Sequence, residues 1–238
     1  MTHGARRAIG AAAFATLAWT VGPAAADEPL CGPRTYAEVR YTVCAVSLDS
    51  DDLRIFWRDR DGTPYRSFQR LERALGAEER TLRFAMNGGM YDTAYAPIGL
   101  YVEGGVEQTP ANTGSSTRRP EPNFYKKPNG IFWFGHGRAG VLETGKYLKE
   151  TPAAEYATQS GPLLVIDGTI HPMFIPGSRD RQRRNGVGVD GNGRVLFAIS
   201  EDPVNFDDFA RFFRDELGCR DALFLDGGSA PALHAPEL

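Results

Sequence analysis

The stretch Ala222-Leu223-Phe224-Leu225-Asp226-Gly227-Gly228-Ser229 constrains the chain more than any other. Four apolar residues in a row predict a strand buried on both faces. A carboxylate, two glycines and a hydroxyl then end it abruptly. A strand delivers its last side chain to the sheet rim, and paired glycines let the backbone turn sharply and let a ligand approach bare amides. The plain alternative is a tight turn in which Asp226 hydrogen-bonds its own loop. Three further junctions of the same kind argue for one shared site. Asn87-Gly88-Gly89, Gln159-Ser160-Gly161-Pro162 and Arg184-Asn185-Gly186 each set polar groups and glycine beside an apolar strand.

The first 26 residues do not read as part of a fold. Arg6-Arg7 is a basic start, Ala8 to Val21 an apolar middle, and Ala24-Ala25-Ala26 a small-residue cleavage signal before Asp27. The apolar part is too short and too rich in small residues for a transmembrane span. The expectation is a cleaved signal peptide over 1–26, export to the periplasm or beyond the cell, and one domain over 27–238. The full sequence carries a net charge of −3, and loss of the two leader arginines makes the rest more acidic. Without a basic tract or a long amphipathic segment, neither nucleic acid nor a membrane surface is an expected partner. Three cysteines in an exported chain suggest one bridge and one thiol left over. Cys31 and Cys44 are the expected pair, and Cys219 is expected as a small buried hydrophobe. No C-x-x-C and no histidine cluster is present, so no metal site and no cofactor is expected.

Short strands dominate the rest. Val39 to Leu48 reads as a strand, with Leu53 to Arg58 returning against it in a hairpin. Phe68, Leu71 and Leu75 recur at helical spacing and Gly76 stops them. Thr81 to Met86 and Ile98 to Val102 read as strands around the first glycine pair, and Gly104-Gly105 as a hairpin turn. Gln108 to Pro128 is a long irregular segment, either a substrate-facing lid or a surface loop. Ile131 to Phe134 is a strand, Thr151 to Thr158 a short helix and Leu163 to Ile166 a strand. Val187 to Asp190 and Arg194 to Ser200 form a hairpin. Asn205 caps a helix whose first turn holds Asp207 and Asp208 and whose stripe is Phe206, Phe209, Phe213 and Leu217. Hairpins without βαβ alternation predict an α+β fold: one domain with a largely antiparallel or mixed sheet and a few packed helices.

Asp226 is the first candidate for a reacting carboxylate. Glu201 follows another buried strand and is the second, with a solvated turn as its alternative reading. A pair of carboxylates at one rim suits glycosidic cleavage. Arg183 and Arg184 suit an anion clamp, or else balance acidic surface. Asn87, Gly88, Gln159, Ser160, Gly227, Gly228 and Ser229 would line a hydrogen-bonding pocket. A serine hydrolase using His171 or His234 ranks low, because neither Ser160 nor Ser229 stands in a G-x-S-x-G elbow.

N-G-G-M-Y, P-I-G-L-Y-V, N-F-Y-K-K-P-N-G-I-F, Q-S-G-P-L-L-V-I-D-G, R-R-N-G-V-G-V and A-L-F-L-D-G-G-S occur here in one order. Together they resemble the phosphodiester glycosidase family over about Val39 to His234. The resemblance implies an α+β fold and a cleft lined by Asn87, Gly88, Arg184 and Asp226 to Ser229. It also implies cleavage of the sugar C1–O bond of a glycosyl phosphodiester. Met90-Tyr91 stands where many members carry paired aromatics. A rival expectation is a module that binds a phosphorylated envelope glycan without cutting it, with Tyr91, Tyr95, Tyr125 and Trp133 as platforms. A phosphodiesterase cutting the P–O bond ranks third, for want of metal ligands.

Overall fold

Burial alternates along β2 of the computed structural model, and that alternation sets the layers. Residues 1, 29–226, 232–236 and 238 are described; the expected leader and Gly227, Gly228 and Ser229 lie outside the described residues. In chain order the elements are β1 (Cys31–Tyr36), β2 (Val39–Val46), α1 (Phe68–Gly76), β3 (Ala85–Met86), β4 (Tyr101–Glu103), β5 (Val106–Thr109), β6 (Gly130–Gly135), β7 (Arg138–Glu143) and α2 (Thr144–Glu150). Then follow β8 (Tyr156–Ser160), β9 (Leu163–Ile166), β10 (Thr169–Ile170), β11 (Asn185–Val189), β12 (Val195–Ser200), α3 (Phe206–Arg211), β13 (Asp221–Phe224) and β14 (Leu233–His234).

Seven strands form one sheet in the order β1-β2-β12-β11-β13-β9-β10, and five form a second in the order β5-β4-β8-β6-β7. Every pairing between these strands is antiparallel. Val39, Tyr41 and Val43 of β2, Leu196 and Ala198 of β12, and Ala222 and Phe224 of β13 face α3 and its continuation. Cys44, Val46, Val195, Phe197 and Leu223 face the other way, onto Phe132, Phe134 and Val141 of the five-stranded sheet. Tyr147 of α2 closes that sheet's outer face over Leu100, Val102, Ile131 and Ala157. The result is an α+β domain of four layers, helix, sheet, sheet, helix.

Asn205 caps α3 by accepting from the Asp208 amide at 2.8 Å, and Asp207 and Asp208 occupy its first turn. Phe209, Phe212 and Phe213 are wholly buried, and Phe212 stacks on Tyr41 at 3.7 Å between ring centroids. Cys31 and Cys44 are directly opposed in the β1–β2 ladder and are joined by a disulfide. Cys219 is free and buried. No described helix is long and apolar enough to cross a membrane.

Four local expectations are corrected. Leu53 to Arg58 forms no strand: the segment is held by the Arg58–Pro64 bridge and lies against both sheets through its side chains. Thr151 to Thr158 is not a helix, because α2 ends at Glu150 and Pro152 lies where the chain is already heading into β8. The strand expected over Thr81 to Met86 shrinks to Ala85–Met86, and Tyr101–Glu103 replaces Ile98 to Val102. β1 was not expected, because its Gly-Pro pair masks an edge strand.

Candidate functional site

The antiparallel register brings one end of each sheet to a common rim. Asn185 opens β11, Phe224 closes β13 and Leu163 opens β9, so all three meet at the same edge of the seven-stranded sheet. Gly130 opens β6 and Ser160 closes β8, opposite one another in the second sheet. The Phe224 amide donates to the Pro162 oxygen at 3.1 Å and the Leu163 amide to the Pro128 oxygen at 3.0 Å. Three of the four sequence junctions therefore converge.

Asn87 is the centre of this rim. Its Nδ2 donates to the Asp226 main-chain oxygen at 2.7 Å. Its Oδ1 accepts from the Ala232 amide at 3.0 Å and from Asn185 Nδ2 at 3.0 Å. Asp226 donates its amide to the Gly88 oxygen at 3.1 Å, and Leu225 donates to the Asn185 oxygen at 3.1 Å. One asparagine thus grips the chain on both sides of residues 227–231. Gly89 stands where a side chain is excluded: a Cβ there would lie 2.2 Å from Thr158 Oγ1 and 2.5 Å from the Gln159 oxygen. This contact locks the first glycine pair onto β8.

The Asp226 carboxyl is mostly buried, and loss of water holds its pKa above the ordinary aspartate range although side-chain hydrogen bonds to Asn87 and Tyr91 work the other way. Tyr91 is raised as well, by burial first and by Asp226 second. Its ring stacks on Tyr95 at 5.5 Å, and the two residues are 43% and 39% exposed. The Arg66 guanidinium covers Tyr95 at 4.8 Å.

On the α3 side, Arg184 is only 2% exposed. Its Nε donates to the Val204 oxygen at 2.9 Å and its Nη2 to the Asp180 oxygen at 3.1 Å. The guanidinium lies 3.7 Å above the Phe206 ring, and Lys126 Nζ lies 5.3 Å from the same ring. Burial lowers the pKa of Arg184 to about 10 and lowers Lys126 too. Asp180, whose side chain is largely exposed, lies 3.4 Å from Arg184 Nη2.

The remaining expected residues separate by their partners. Gln159 is fully engaged: Oε1 accepts from the Leu100 and Asn112 amides, and Nε2 donates to the Asn112 oxygen and Thr144 Oγ1. It ties 98–112 to β8. Ser160 is fully buried, and its Oγ and the Asn185 Oδ1 are buried polar atoms with no hydrogen-bond partner among the described residues. Glu201 ends β12 at the same edge of the sheet, two strands from Asp226, and accepts from Thr42 Oγ1 at 2.8 Å and Arg183 Nη2 at 2.9 Å. The structure therefore brings together Asp226, Asn87 and Gly88, sets Ser160 and Arg184 on flanking strands, and pairs Glu201 with Arg183 away from that group. Asn185, Tyr91 and Lys126 join the rim and were not singled out as site residues. All three stand inside quoted motifs, Lys126 in the one that closes the long irregular segment. Among the described residues no group of three or more His, Cys, Asp or Glu could hold a metal ion.

A two-sheet α+β domain with a carboxylate at a glycine-bounded strand end, with the buried Arg184 and the half-buried Lys126 on its α3 side, defines a class of small-ligand site at the sheet rim. The chain belongs to the phosphodiester glycosidase family, whose model matches residues 80–237. It is 31% identical over 203 residues to the uncharacterised protein YigE of Escherichia coli (strain K12), covering 85% of this chain and 76% of that one. The fold is shared with the catalytic domain of zebrafish N-acetylglucosamine-1-phosphodiester alpha-N-acetylglucosaminidase, auto-inhibited by its pro-peptide, at a TM-score of 0.55. That likeness has 16% identity and covers 88% of this chain and 75% of that one. A hypothetical protein from Synechocystis shares it at a TM-score of 0.56 and 13% identity, over 86% of this chain and 57% of that one.

Proposed function

We propose that the protein is an exported hydrolase that cleaves the sugar C1–O bond of a glycosyl phosphodiester. The observation that carries this reading is the placement of the partly buried Asp226, its main-chain oxygen held by Asn87, on a rim whose α3 side carries the buried Arg184 and the half-buried Lys126. Family membership and the zebrafish glycosidase fold support the same chemistry. Export is supported by the leader-like start of the sequence and by the Cys31–Cys44 bridge.

In this reading Asp226 faces the anomeric carbon and stabilises or attacks the oxocarbenium-like centre. The C1–O bond breaks, and the phosphate monoester leaves with the bonding electrons. Water supplies the hydroxyl at C1 and its remaining proton goes to the phosphate or to solvent. A phosphate monoester is a good leaving group, so positive charge matters more than a strong general acid. Arg184 and Lys126 supply that charge over the Phe206 ring. Ser160 Oγ and Asn185 Oδ1, buried without partners among the described residues, take sugar hydroxyls. Asn87 holds Asp226 in place, and Glu201 stays with Arg183.

Mature wild-type protein and Asp226→Ala should be compared on UDP-N-acetylglucosamine and a panel of simple sugar-1-phosphodiesters. Free sugar from the wild type alone is the expected result. Equal release by both would remove Asp226 from the chemistry. Binding without release by either protein would favour the glycan-binding module, for which the exposed Tyr91–Tyr95 stack is the specific observation.

A further inference from the structure

A cavity of about 630 Å³ opens beside the candidate site, and most of its wall is apolar. Phe68, Leu71 and Leu75 of α1 form its roof, and Phe132, Phe197 and Leu225 of the two sheets form its floor. Asn87, Gly88, Gly89 and Tyr91 line the same space, so the cavity is continuous with the residues that hold Asp226. Protein interiors are close-packed, with few voids larger than a water molecule. A space of this size falls in the range of about 300–1,000 Å³ typical of ligand sites. Its apolar lining offers water few partners and offers hydrocarbon many.

The charges at the edge fit an anionic head. Arg66 lines the cavity and covers Tyr95, and among the described residues it makes no ion pair. Arg54 and Arg80 also line it but share Asp52, and Arg83 lines it with Asp51 3.9 Å away. An apolar pouch with an uncommitted guanidinium at one side and a carboxylate site at its end is the shape of a receptor for a single-chain anionic amphiphile.

We infer that this cavity takes one hydrocarbon chain, so that the molecule handled at the rim is an amphiphile with its polar head at Asp226 and its chain between α1 and the two sheets. The identity of the head as a glycosyl phosphodiester rests on the reading above; the chain site does not. The substrate class is accordingly a lipid-linked sugar phosphate rather than a free sugar nucleotide. Arg66 meets the negative charge of the head, and Trp57, which also lines the cavity, reports on the chain.

The test uses mature protein and alkyl phosphates below their micelle concentrations, read by Trp57 fluorescence. Dodecyl phosphate is expected to bind at least tenfold tighter than butyl phosphate. Leu71→Glu, on a helix whose propensity glutamate keeps, is expected to weaken dodecyl phosphate at least tenfold and to leave hydrolysis of a short-chain sugar-1-phosphodiester unchanged. A chain carrying bromine at its far end should quench the wild type and lose that quenching in Trp57→Phe, which keeps the test valid if Leu71→Glu does not fold. Binding without chain-length dependence, or quenching retained in Trp57→Phe, would overturn the inference. Hydrolysis of the short substrate with no chain binding would overturn it and leave the glycosidase reading standing. Chain binding with no hydrolysis of any sugar phosphodiester would sustain it and remove that reading.

Discussion

Asn185 Nδ2 lies 3.0 Å from Asn87 Oδ1 and 3.1 Å from the Asn87 main-chain oxygen, joining motifs 98 residues apart. With the Ala232 amide on the same Oδ1, both lone pairs of the Asn87 side-chain oxygen are used. Asn87→Ala should therefore act through Asp226 rather than through substrate contact. It removes the side-chain donor of the Asp226 main-chain oxygen, at about 1–3 kcal/mol for a polar group left without its partner, while Asn185 Nδ2 keeps the Asn87 main-chain oxygen and the exposed Ala232 amide can turn to water. The expected outcome is a fall in kcat with a smaller change in KM, beside a lower Tm. Steady-state kinetics on a sugar phosphodiester with a thermal melt would check it, and a change confined to KM would contradict the positioning role.

Asp226→Asn should abolish turnover and stabilise the protein at neutral pH. Burial raises the folded pKa of Asp226 above the unfolded value of 3.8. The stability linked to its proton is therefore fully present below pH 3.8 and is lost as pH rises through the folded pKa. An amide carries no charge to desolvate, so the variant escapes that loss. Melts of both proteins should show the Asn variant ahead at pH 7, with the gap narrowing toward pH 3.5. A gap independent of pH would mean that the carboxyl is not held back by burial.

Lys126→Ala should raise KM for a phosphodiester several-fold while Tm moves little, because among the described residues its Nζ has a single hydrogen-bond partner, Asn123 Oδ1 at 2.7 Å. Arg184→Ala should raise KM and also cost about 2–4 kcal/mol of stability, since it strips partners from the Val204 and Asp180 oxygens and empties a packed site over Phe206. Denaturant titration beside the kinetics separates the two effects. Unchanged KM in both variants would remove the anion site from this ring.

Cys44→Ser, or reduction of the wild type, should lower stability by about 3 kcal/mol in the chain-entropy account, given a sequence separation of 13 between the bonded residues. Chemical unfolding with and without reductant measures it. Equal midpoints would mean that the β1–β2 ladder holds without its covalent tie.

Much of the rim was legible because its signals are local. The run into Asp226 could only be a buried strand ending at a rim, and β13 ends two residues before it. The β11–β12 hairpin and the Asn205 cap were equally plain, each resting on contiguous residues with one dominant signal. What escaped depends on distant partners. Gln159 reads like a pocket residue, yet all its hydrogen-bonding capacity serves 98–112 and Thr144. Glu201 ends a buried strand as expected, but Arg183 and Thr42 on neighbouring chain claim its carboxylate. Helix α2 was missed because Thr-Gly is a poor opening and only Thr144 and Tyr147 are buried on it. Leu53 to Arg58 has the composition of a strand, and its apolar residues went to the cavity wall instead of a ladder.

The strand order gives the disulfide a further consequence. β1 is the outermost strand of the seven-stranded sheet, while the opposite margin is the two-residue β10. Beneath β1 lies β2, eight residues long and buried at most positions, a flat template for any extended chain that could reach it. Cys31–Cys44 fastens the cover to that template. In a reducing compartment the tie is absent, and a frayed β1 would leave β2 open to a strand from a second molecule, so the bond guards against self-association as much as against unfolding.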